Sequence, residues 1–210
     1  MADEIVFYTN PMSRGRVVRW MLEEIGRPYR TELLEFGPGM KTAEYLAINP
    51  MGKVPAIRHG EVVVTEAAAI CAYLADAFPE AGLAPPAGDR LRGPYYRWLF
   101  FGAGPIEAAV FNRHLGFDPP EGRARGMIGY GCFELVMDTL EAVLSGREYL
   151  VGDRFSAADL YVGSEIGFGM QFGTIPKRPA FEQYAQRLLA RPAAVRAREI
   201  DDALTPKQPA

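Results

Sequence analysis

A change of pattern at Pro79 divides this chain of 210 residues in two. Before Pro79, short runs rich in Val, Ile, Phe and Tyr alternate with stretches of helical spacing, whereas no convincing strand follows it. The segment 79–88 holds three Pro and two Gly, which is typical of a linker. We therefore predict an α/β domain over 1–78 and an all-helical domain over 89–210. The helices of the second domain are predicted at 89–113, 121–144, 156–172 and 180–190.

The first domain is predicted to have the order βαβ, α, ββ, α. Its strands are predicted at 4–9, 28–34, 54–58 and 61–64, and its helices at 14–25, 41–46 and 66–78. A strand–helix–strand unit makes its two strands parallel, whereas the tight connection at His59 and Gly60 joins the last two strands as a hairpin. This order predicts a four-stranded mixed sheet with helices on its faces.

Composition and charge exclude several functional classes. The chain is 49% apolar and 23% charged, as in an ordinary globular protein, and its net charge of −3 provides no general basic surface for nucleic acid or anionic lipid. Its two Cys and two His are too few for a disulfide framework or a metal cluster. We recognise neither a secretory signal nor a membrane-spanning run. We therefore expect a cytoplasmic protein that uses no metal and binds neither nucleic acid nor membrane.

The turn between the first strand and the first helix breaks a local rule. Helix N-termini favour acidic residues, yet this one carries Arg14 and Arg16 and no acid. Free N–H groups, the Ser13 hydroxyl and two guanidinium groups would then converge on one spot, which suits an anion or a thiolate. The alternative is that Ser13 only caps the helix, Tyr8 packs in the core and the arginines are solvated.

Two further segments are candidates for ligand contacts. Pro55 at the start of a strand cannot donate to the ladder, and a cis bond after Val54 would expose the Val54 N–H and C=O to an extended peptide. At the start of the domain's last helix, N–H groups at Ala67 would hold a carboxylate and Glu66 an ammonium group. The alternatives are a trans edge-strand proline and an acid that only favours the helix dipole. In the predicted topology all three segments share one edge of the sheet, where they would bind a thiol, a peptide backbone and a zwitterion.

These segments carry a resemblance to a known family. The chain resembles the soluble, cytosolic-type glutathione S-transferases of bacteria over nearly its whole length. The matching stretches are 7–8, 13–14, 17–24, 49–56, 65–70 and 149–159. The resemblance implies a thioredoxin-like βαβ-α-ββα domain followed by an all-helical domain, a homodimer, and glutathione as co-substrate. It also implies that 156–159 is a capping box, which acts in folding and not in catalysis.

The resemblance implies roles for residues of the first domain. Val54 would bind the cysteinyl backbone of glutathione beside a cis Pro55, while Glu66 and the backbone of Ala67 would bind the γ-glutamyl group. Many members of the family have Ser after the acid, which adds a hydroxyl to the carboxylate site. Here Ala67 provides only its backbone N–H.

Two assignments stay open under this resemblance. The glycyl carboxylate is assigned to Lys53 or Lys41. The donor to the thiolate is Tyr in some classes of the family and Ser in others. We favour Ser13 because it lies at the helix N-terminus, with Tyr8 second and Arg14 as a helper. Ser13 also stands where one bacterial class has Cys, so mixed-disulfide chemistry is not expected.

The electrophile is expected to contact an apolar surface supplied mainly by the helical domain. The candidates are Met12, Trp98, Phe101, Phe111 and Phe117. The alternative is that the aromatic residues are helix core, and for Trp98 that alternative is at least as good. The predicted function is transfer of the glutathione thiolate to a hydrophobic electrophile. The alternatives are another glutathione-dependent activity (peroxidase, disulfide reductase, dehalogenase or isomerase) and a non-catalytic binding or regulatory module on the same fold.

Overall fold

A computed structural model of the chain describes residues 4–205. These residues divide into two compact units. One unit runs to Gly82 and also contains the segment from Arg191 onward, and the other is Leu83–Ala190.

The first unit contains the sheet. Its strands are β1 (Ile5–Thr9), β2 (Tyr29–Leu33), β3 (Ala56–His59) and β4 (Val62–Thr65). Its α-helices are α1 (Gly15–Ile25), α2 (Ala43–Leu46), α3 (Ala67–Ala77) and, near the end of the chain, α10 (Pro192–Leu204), and 3-10 turns cover Pro38–Lys41 and Pro79–Ala81.

The sheet has four strands in the order β2-β1-β3-β4. Strand β1 is parallel to β2 and antiparallel to β3, and β3 is antiparallel to β4. The predicted four-stranded mixed sheet is therefore confirmed. In the observed register Tyr8 lies opposite Ala56, and Ala56 lies opposite Thr65.

The helices of this unit form where apolar residues recur at helical spacing. Helix α1 buries Val17, Val18, Met21 and Leu22, and it ends at Gly26, whose φ of 65° is the left-handed conformation that glycine adopts most easily. It packs against α3 and α10. These contacts give the unit its own hydrophobic core.

The segment from Arg191 differs from the sequence prediction. That prediction gave the whole of 89–210 to the helical domain, whereas the structure places Pro192–Leu204 in the unit that contains the sheet. The physical reason is that α10 buries Ala193, Ala194 and Ala197 and packs along α1.

The second unit contains helices and, within its residues 83–190, no strand. The helices are α4 (Arg92–Phe101), α5 (Glu107–His114), α6 (Arg123–Met127), α7 (Phe133–Leu144), α8 (Ala157–Phe172) and α9 (Pro179–Leu189). A π-helical stretch, Gly102–Ile106, contains Pro105 and interrupts the helix that we predicted over 89–113. The predicted helix 121–144 is also two helices, with Gly131 at a φ of 70° between them. No helix of residues 4–205 is long and apolar enough to cross a membrane.

The capping box at the start of α8 is confirmed. The Ser156 N–H and hydroxyl donate to one oxygen of the Asp159 carboxylate at 3.0 and 2.8 Å. The Leu150 N–H and the Tyr184 hydroxyl donate to the other oxygen at 2.7 and 2.8 Å. Burial raises the pKa of this carboxyl, and the four donors oppose that rise. Asp159 therefore stabilises the core of the helical unit and has no free acceptor for a ligand.

Candidate functional site

The candidate site lies at one end of the sheet. Strand β1 ends there, β3 begins there and β4 ends there, since Tyr8, Ala56 and Thr65 lie side by side in the register. Neighbouring strands are about 4.8 Å apart, so the three positions span roughly 10 Å. The turn after Tyr8, the Val54-Pro55 bond and the start of α3 therefore share one edge, as the predicted topology requires.

The turn after β1 is a closed hydrogen-bonded structure. The Ser13 hydroxyl donates to the Asn10 carbonyl at 2.7 Å and accepts from the Gly15 N–H at 2.9 Å. The side chain of Asn10 accepts from the Met12 N–H at 2.9 Å and donates to the Leu34 carbonyl at 2.9 Å. Asn10 therefore attaches the turn to the chain beyond β2, and the sequence reasoning did not single it out.

Glycine is required at the first position of α1. A Cβ atom built on Gly15 would overlap the side-chain oxygen of Thr9 and lie 3.0 Å from the Ser13 hydroxyl oxygen. The helix therefore begins against the end of β1, with Ser13 immediately beside that contact. Arg14 occupies the N-cap position and is half-buried.

Tyr8 is the second hydroxyl at this edge. It is half-buried, and its ring lies 5.8 Å from that of Tyr45. Its hydroxyl makes no hydrogen bond within the described part of the chain. The Tyr8 proton is thus unengaged, whereas the Ser13 proton is shared with a backbone carbonyl.

Contrary to the sequence prediction, Arg16 does not offer its guanidinium group to a ligand at the turn. Its Nε donates to the Pro11 carbonyl at 2.5 Å, and its Nη1 pairs with the Asp202 carboxylate at 2.8 Å. The missing acid of the first turn of α1 is therefore supplied by α10. Local helix rules could not reveal this, because the partner lies 186 positions away in the sequence.

The segment before β3 is held by side chains that the sequence reasoning missed. The buried Asn49 donates from Nδ2 to the Lys53 carbonyl at 2.7 Å and accepts from the Met51 N–H at 3.1 Å. The Tyr45 hydroxyl donates to the same Lys53 carbonyl at 2.6 Å, and burial raises the Tyr45 pKa to about 12, so that it stays a donor. The available sequence signal was the Asn-Pro pair, which favours side-chain-stabilised turns.

The backbone of Val54 is free to bind a ligand. The Val54-Pro55 peptide bond is cis. Within residues 4–205, neither the N–H nor the C=O of Val54 has a hydrogen-bond partner. This is the donor and acceptor pair that an extended peptide backbone requires.

Glu66 has an unusual backbone conformation. Its φ of 66° and ψ of 118° make it a non-glycine residue with positive φ, a conformation that costs energy and is concentrated at functional sites. Its carboxylate is exposed and pairs with no other described residue. Directly after it, α3 begins at Ala67 with N–H groups that have no acceptor inside the helix. An acid and a helix N-terminus side by side can hold the ammonium and carboxylate groups of one amino acid.

The two candidate lysines lie on either side of the loop before Val54. Lys41 is exposed and donates from Nζ to the Met51 carbonyl at 2.9 Å. Lys53 is also exposed, and its carbonyl is the group that Asn49 and Tyr45 hold. Both ammonium groups are accessible to solvent on the first unit.

The residues predicted to contact the electrophile differ in how far they are buried. Met12 is 59% exposed on the turn itself, and Phe111 and Phe117 are each 47% exposed in the helical unit. Trp98 is 2% exposed and packs edge-on against Phe101 at 5.4 Å. Trp98 is therefore a core residue of that unit, as the alternative interpretation held.

Three kinds of functional group lie at this end of the sheet. It holds a free backbone donor and acceptor at Val54, a carboxylate beside a helix N-terminus at Glu66, and two hydroxyl groups, on Tyr8 and Ser13. In residues 4–205, no group of three His, Cys, Asp or Glu could hold a metal ion. This combination is suited to a peptide-like zwitterion that carries its own reactive group.

Two family descriptions match the sequence. The first, "Glutathione S-transferase, N-terminal domain", matches residues 12–77, and the second, "Glutathione S-transferase, C-terminal domain", matches residues 134–192. Among curated proteins, the glutathione S-transferase GstB of Escherichia coli strain K12 is 30% identical, over 88% of this chain and 92% of that protein.

Solved structures show the same fold. A glutathione transferase from Methylococcus capsulatus superimposes with a TM-score of 0.77 at 30% identity, covering 95% of this chain and 99% of that one. The glutathione transferase URE2P6 of Phanerochaete chrysosporium, solved in complex with oxidized glutathione, gives a TM-score of 0.78 at 26% identity, covering 97% and 98%.

Proposed function

Because the chain belongs to the glutathione S-transferase family, we propose that it binds glutathione at this end of the sheet and transfers its thiolate to a hydrophobic electrophile. One observation carries the proposal: the unpaired backbone of Val54 lies just before β3 and the unpaired carboxylate of Glu66 lies just after β4, at the end where these two neighbouring antiparallel strands pair Ala56 with Thr65. The cysteinyl backbone pairs with Val54 beside Pro55. The γ-glutamyl ammonium pairs with Glu66, and its carboxylate accepts from the N–H at Ala67.

The glycyl end of glutathione is assigned to the two exposed lysines. Lys53 directly precedes the proposed backbone contact at Val54, and Lys41 reaches the same loop through the Met51 carbonyl. An ammonium group here neutralises the glycyl carboxylate as a point charge.

The protein's contribution to the chemistry is to keep the bound sulfur deprotonated. A free thiol with a pKa near 8.5 is only about 3% ionised at pH 7. A fall of roughly two units would make the thiolate the main species, a gain of about twenty-five-fold in reactive fraction. Holding an electrophile against that sulfur lowers the activation free energy further, because the two reactants no longer have to meet in solution. The glutathione sulfur is the nucleophile and forms the new bond, while the electrophile loses its leaving group, so no side-chain nucleophile is needed.

We assign the donor to the thiolate to Ser13, with Tyr8 second and Arg14 supplying positive charge beside it. Ser13 lies at the N-terminus of α1, and by accepting from the Gly15 N–H its own O–H becomes a better donor. That proton now bonds the Asn10 carbonyl, and rotation about the Cβ–Oγ bond, which leaves the oxygen in place, directs it to a thiolate, which is the stronger acceptor. Tyr8 supports the same charge with a proton that is not engaged elsewhere.

Ultraviolet titration of bound glutathione tests the assignment, because the thiolate absorbs and the thiol does not. We expect Ser13→Ala to raise the pKa of the bound thiol by about one unit, which corresponds to ~1.4 kcal/mol. Tyr8→Phe tests the second candidate in the same way, since it removes one hydroxyl and keeps the ring. A larger rise with Tyr8→Phe than with Ser13→Ala would transfer the donor role to Tyr8. An unchanged pKa in both variants would exclude side-chain donors.

The apolar partner of the reaction is proposed to contact exposed side chains. Met12 lies on the turn that carries Ser13, and Phe111 and Phe117 expose about half of their surface in the helical unit. We keep Phe101, which is half-buried, as a further candidate and remove Trp98, which is buried. Alanine variants of these residues should change KM for an aryl halide and leave KM for glutathione unchanged.

We also propose that the protein is a homodimer of the cytoplasm. Both of its cysteines, Cys71 and Cys132, are free thiols, which is usual in reducing compartments. Large apolar side chains are exposed, among them Phe100 at 73% and Met51 at 63%, and a second copy of the chain could cover them. Sedimentation equilibrium should give twice the mass of 23.2 kDa, and the monomer mass at all concentrations would contradict the proposal.

A further inference from the structure

Helices α1 and α10 carry complementary charges along their contact. On α1, Arg16 and Arg19 come first, followed by Glu23 and Glu24. On α10 and its cap the order is the same, with Arg191 and Arg196 first and Asp201 and Asp202 last, and the pairs join the start of one segment to the end of the other. The resulting pairs are Arg16–Asp202 at 2.8 Å, Arg19–Asp201 at 2.7 Å, Arg196–Glu23 at 3.3 Å and Arg191–Glu24 at 2.7 Å.

The first of these pairs differs from the others because it reaches the proposed active-site turn. Arg16 donates from Nε to the Pro11 carbonyl at 2.5 Å while its Nη1 bonds Asp202 and its Nη2 bonds the Thr205 hydroxyl at 3.3 Å. One planar guanidinium thus joins the backbone of the turn to the end of α10. Its fixed fork makes these contacts at once, which a lysine cannot do.

The Pro11 carbonyl lies two residues before the proposed thiolate donor, Ser13. The preceding carbonyl, that of Asn10, belongs to the peptide bond that joins Asn10 to Pro11, and it accepts from the Ser13 hydroxyl. A displacement of Pro11 would therefore move the peptide that sets the direction of the Ser13 hydroxyl. Small displacements of a catalytic group are costly for rate, since about 1 Å can cost roughly a hundredfold.

We infer that Arg16 is a positioning residue and that α10, through Asp202 and Thr205, sets the geometry of the catalytic turn. This inference rests on the proposed function of Ser13. It also explains why the first turn of α1 carries arginine where an acid is usual: Arg16 holds a carbonyl on one side and a carboxylate on the other.

The matched control is the pair at the opposite end of the same helix contact. Arg196 on α10 pairs with Glu23 on the last turn of α1, in the same α1–α10 interface, and neither residue touches the Asn10–Ser13 turn. Arg196→Gln removes one interhelical charge pair, as Arg16→Gln does. Both variants therefore weaken the α1–α10 contact by one charge pair, and only Arg16→Gln also removes the contact to the turn.

The first measurement is hydrogen exchange of the turn in the protein without ligand. The Met12 and Ser13 amides donate to Asn10 at 2.9 and 3.0 Å and report the order of the turn directly. We expect faster exchange at these amides in Arg16→Gln and Asp202→Asn, and unchanged exchange there in Arg196→Gln. Equal exchange in all of these variants and the wild type would overturn the inference, whether or not the protein binds glutathione.

The second measurement separates positioning from binding. In Arg16→Gln we expect kcat for glutathione transfer to fall about tenfold while KM for glutathione changes by less than about twofold, because Glu66 and Val54 are untouched. Arg16→Lys should recover only part of kcat. A wild-type protein that binds no glutathione would contradict the proposed function, while the exchange result would still decide the role of Arg16. A fall in kcat of the same size in Arg196→Gln would overturn the inference.

Discussion

At the scale of single residues, Glu66 combines the clearest functional signals of the sheet end. Its positive φ is imposed by the surrounding structure, and its side chain is left unpaired in the part of the chain that the structure describes. A residue that only favoured the dipole of α3 would need neither property. Sequence alone suggested the acid, but it could not reveal the backbone conformation.

Glu66→Gln removes the charge of this side chain and keeps its shape. We expect KM for glutathione to rise about tenfold, since one charge-assisted contact to an ammonium at an exposed position is lost. Steady-state kinetics with an aryl halide measure the change, and kcat should be nearly unaffected. Glu61→Gln, an exposed acid in the β3–β4 hairpin, is the control and should leave KM unaltered. A normal KM in Glu66→Gln would remove the carboxylate from the binding site.

Cys71 offers a test of burial in the first unit. It is fully buried in α3, and burial raises the pKa of its thiol to about 12. Since the pKa of a free thiol is about 8.5, burial keeps the Cys71 thiol protonated at about pH 8, where part of the unfolded thiol is ionised. Iodoacetamide should therefore label only the partly exposed Cys132 in the native protein and both thiols in denaturant. Rapid native labelling of Cys71 would contradict the packing of α3.

At the scale of elements, the loop between α2 and β3 determines where Val54 lies. Two donors, on Asn49 and Tyr45, bind the Lys53 carbonyl directly before Val54. These contacts hold the backbone in an irregular segment that makes no ladder bonds of its own. These hydrogen bonds therefore fix the position of Val54, where we propose that the peptide backbone binds.

Asn49→Ala removes two of the hydrogen bonds that hold the loop before Val54. We expect a loss of about 1–3 kcal/mol in the free energy of unfolding, because buried hydrogen bonds to the loop are lost, together with a rise in KM for glutathione. Tyr45→Phe removes only one donor and should cost about 0.5–1.5 kcal/mol. Urea unfolding and steady-state kinetics measure the two effects. A stable Asn49→Ala variant with normal KM would show that the loop needs no such support.

The sequence predicted the elements where the pattern is local and missed what depends on distant contacts. The strands, the mixed sheet and the capping box at Ser156 and Asp159 follow from alternation, turn residues and helix-start rules. The prediction that the Arg16 guanidinium group faces an anion at the turn was wrong, because the group is held by the Pro11 carbonyl and by Asp202 at the end of α10. The predicted helix 121–144 was wrong at Gly131, whose φ of 70° separates two helices, and the burial of Trp98 decides between two interpretations that periodicity left open.

At the scale of the whole molecule, the segment from Arg191 near the end of the chain belongs to the first unit. Helix α10 contacts α1 through the buried pair of Arg19 and Asp201, whose positions are 182 residues apart. Burial raises the pKa of the Asp201 carboxyl, and the Arg19 guanidinium opposes that rise. The first unit is therefore complete only when the rest of the chain has been made.

Asp201→Asn should destabilise the protein strongly, because it leaves Arg19 buried without a counter-charge. We expect a loss of about 3–5 kcal/mol in the free energy of unfolding, measured with urea. Glu80→Gln breaks the exposed pair with Arg27 on the same unit and should have no measurable effect. Equal small effects in the two variants would mean that the buried pair does not hold α10 in place.

The proposed binding of glutathione at the sheet end is tested most directly by calorimetric titration of the wild-type protein with reduced glutathione and with cysteinylglycine. The dipeptide keeps the thiol and the backbone that Val54 would bind but lacks the γ-glutamyl group that Glu66 and Ala67 would hold. We predict saturable heat with glutathione and a much weaker response with cysteinylglycine. Equal affinities for the two ligands, or no heat with glutathione, would contradict this assignment.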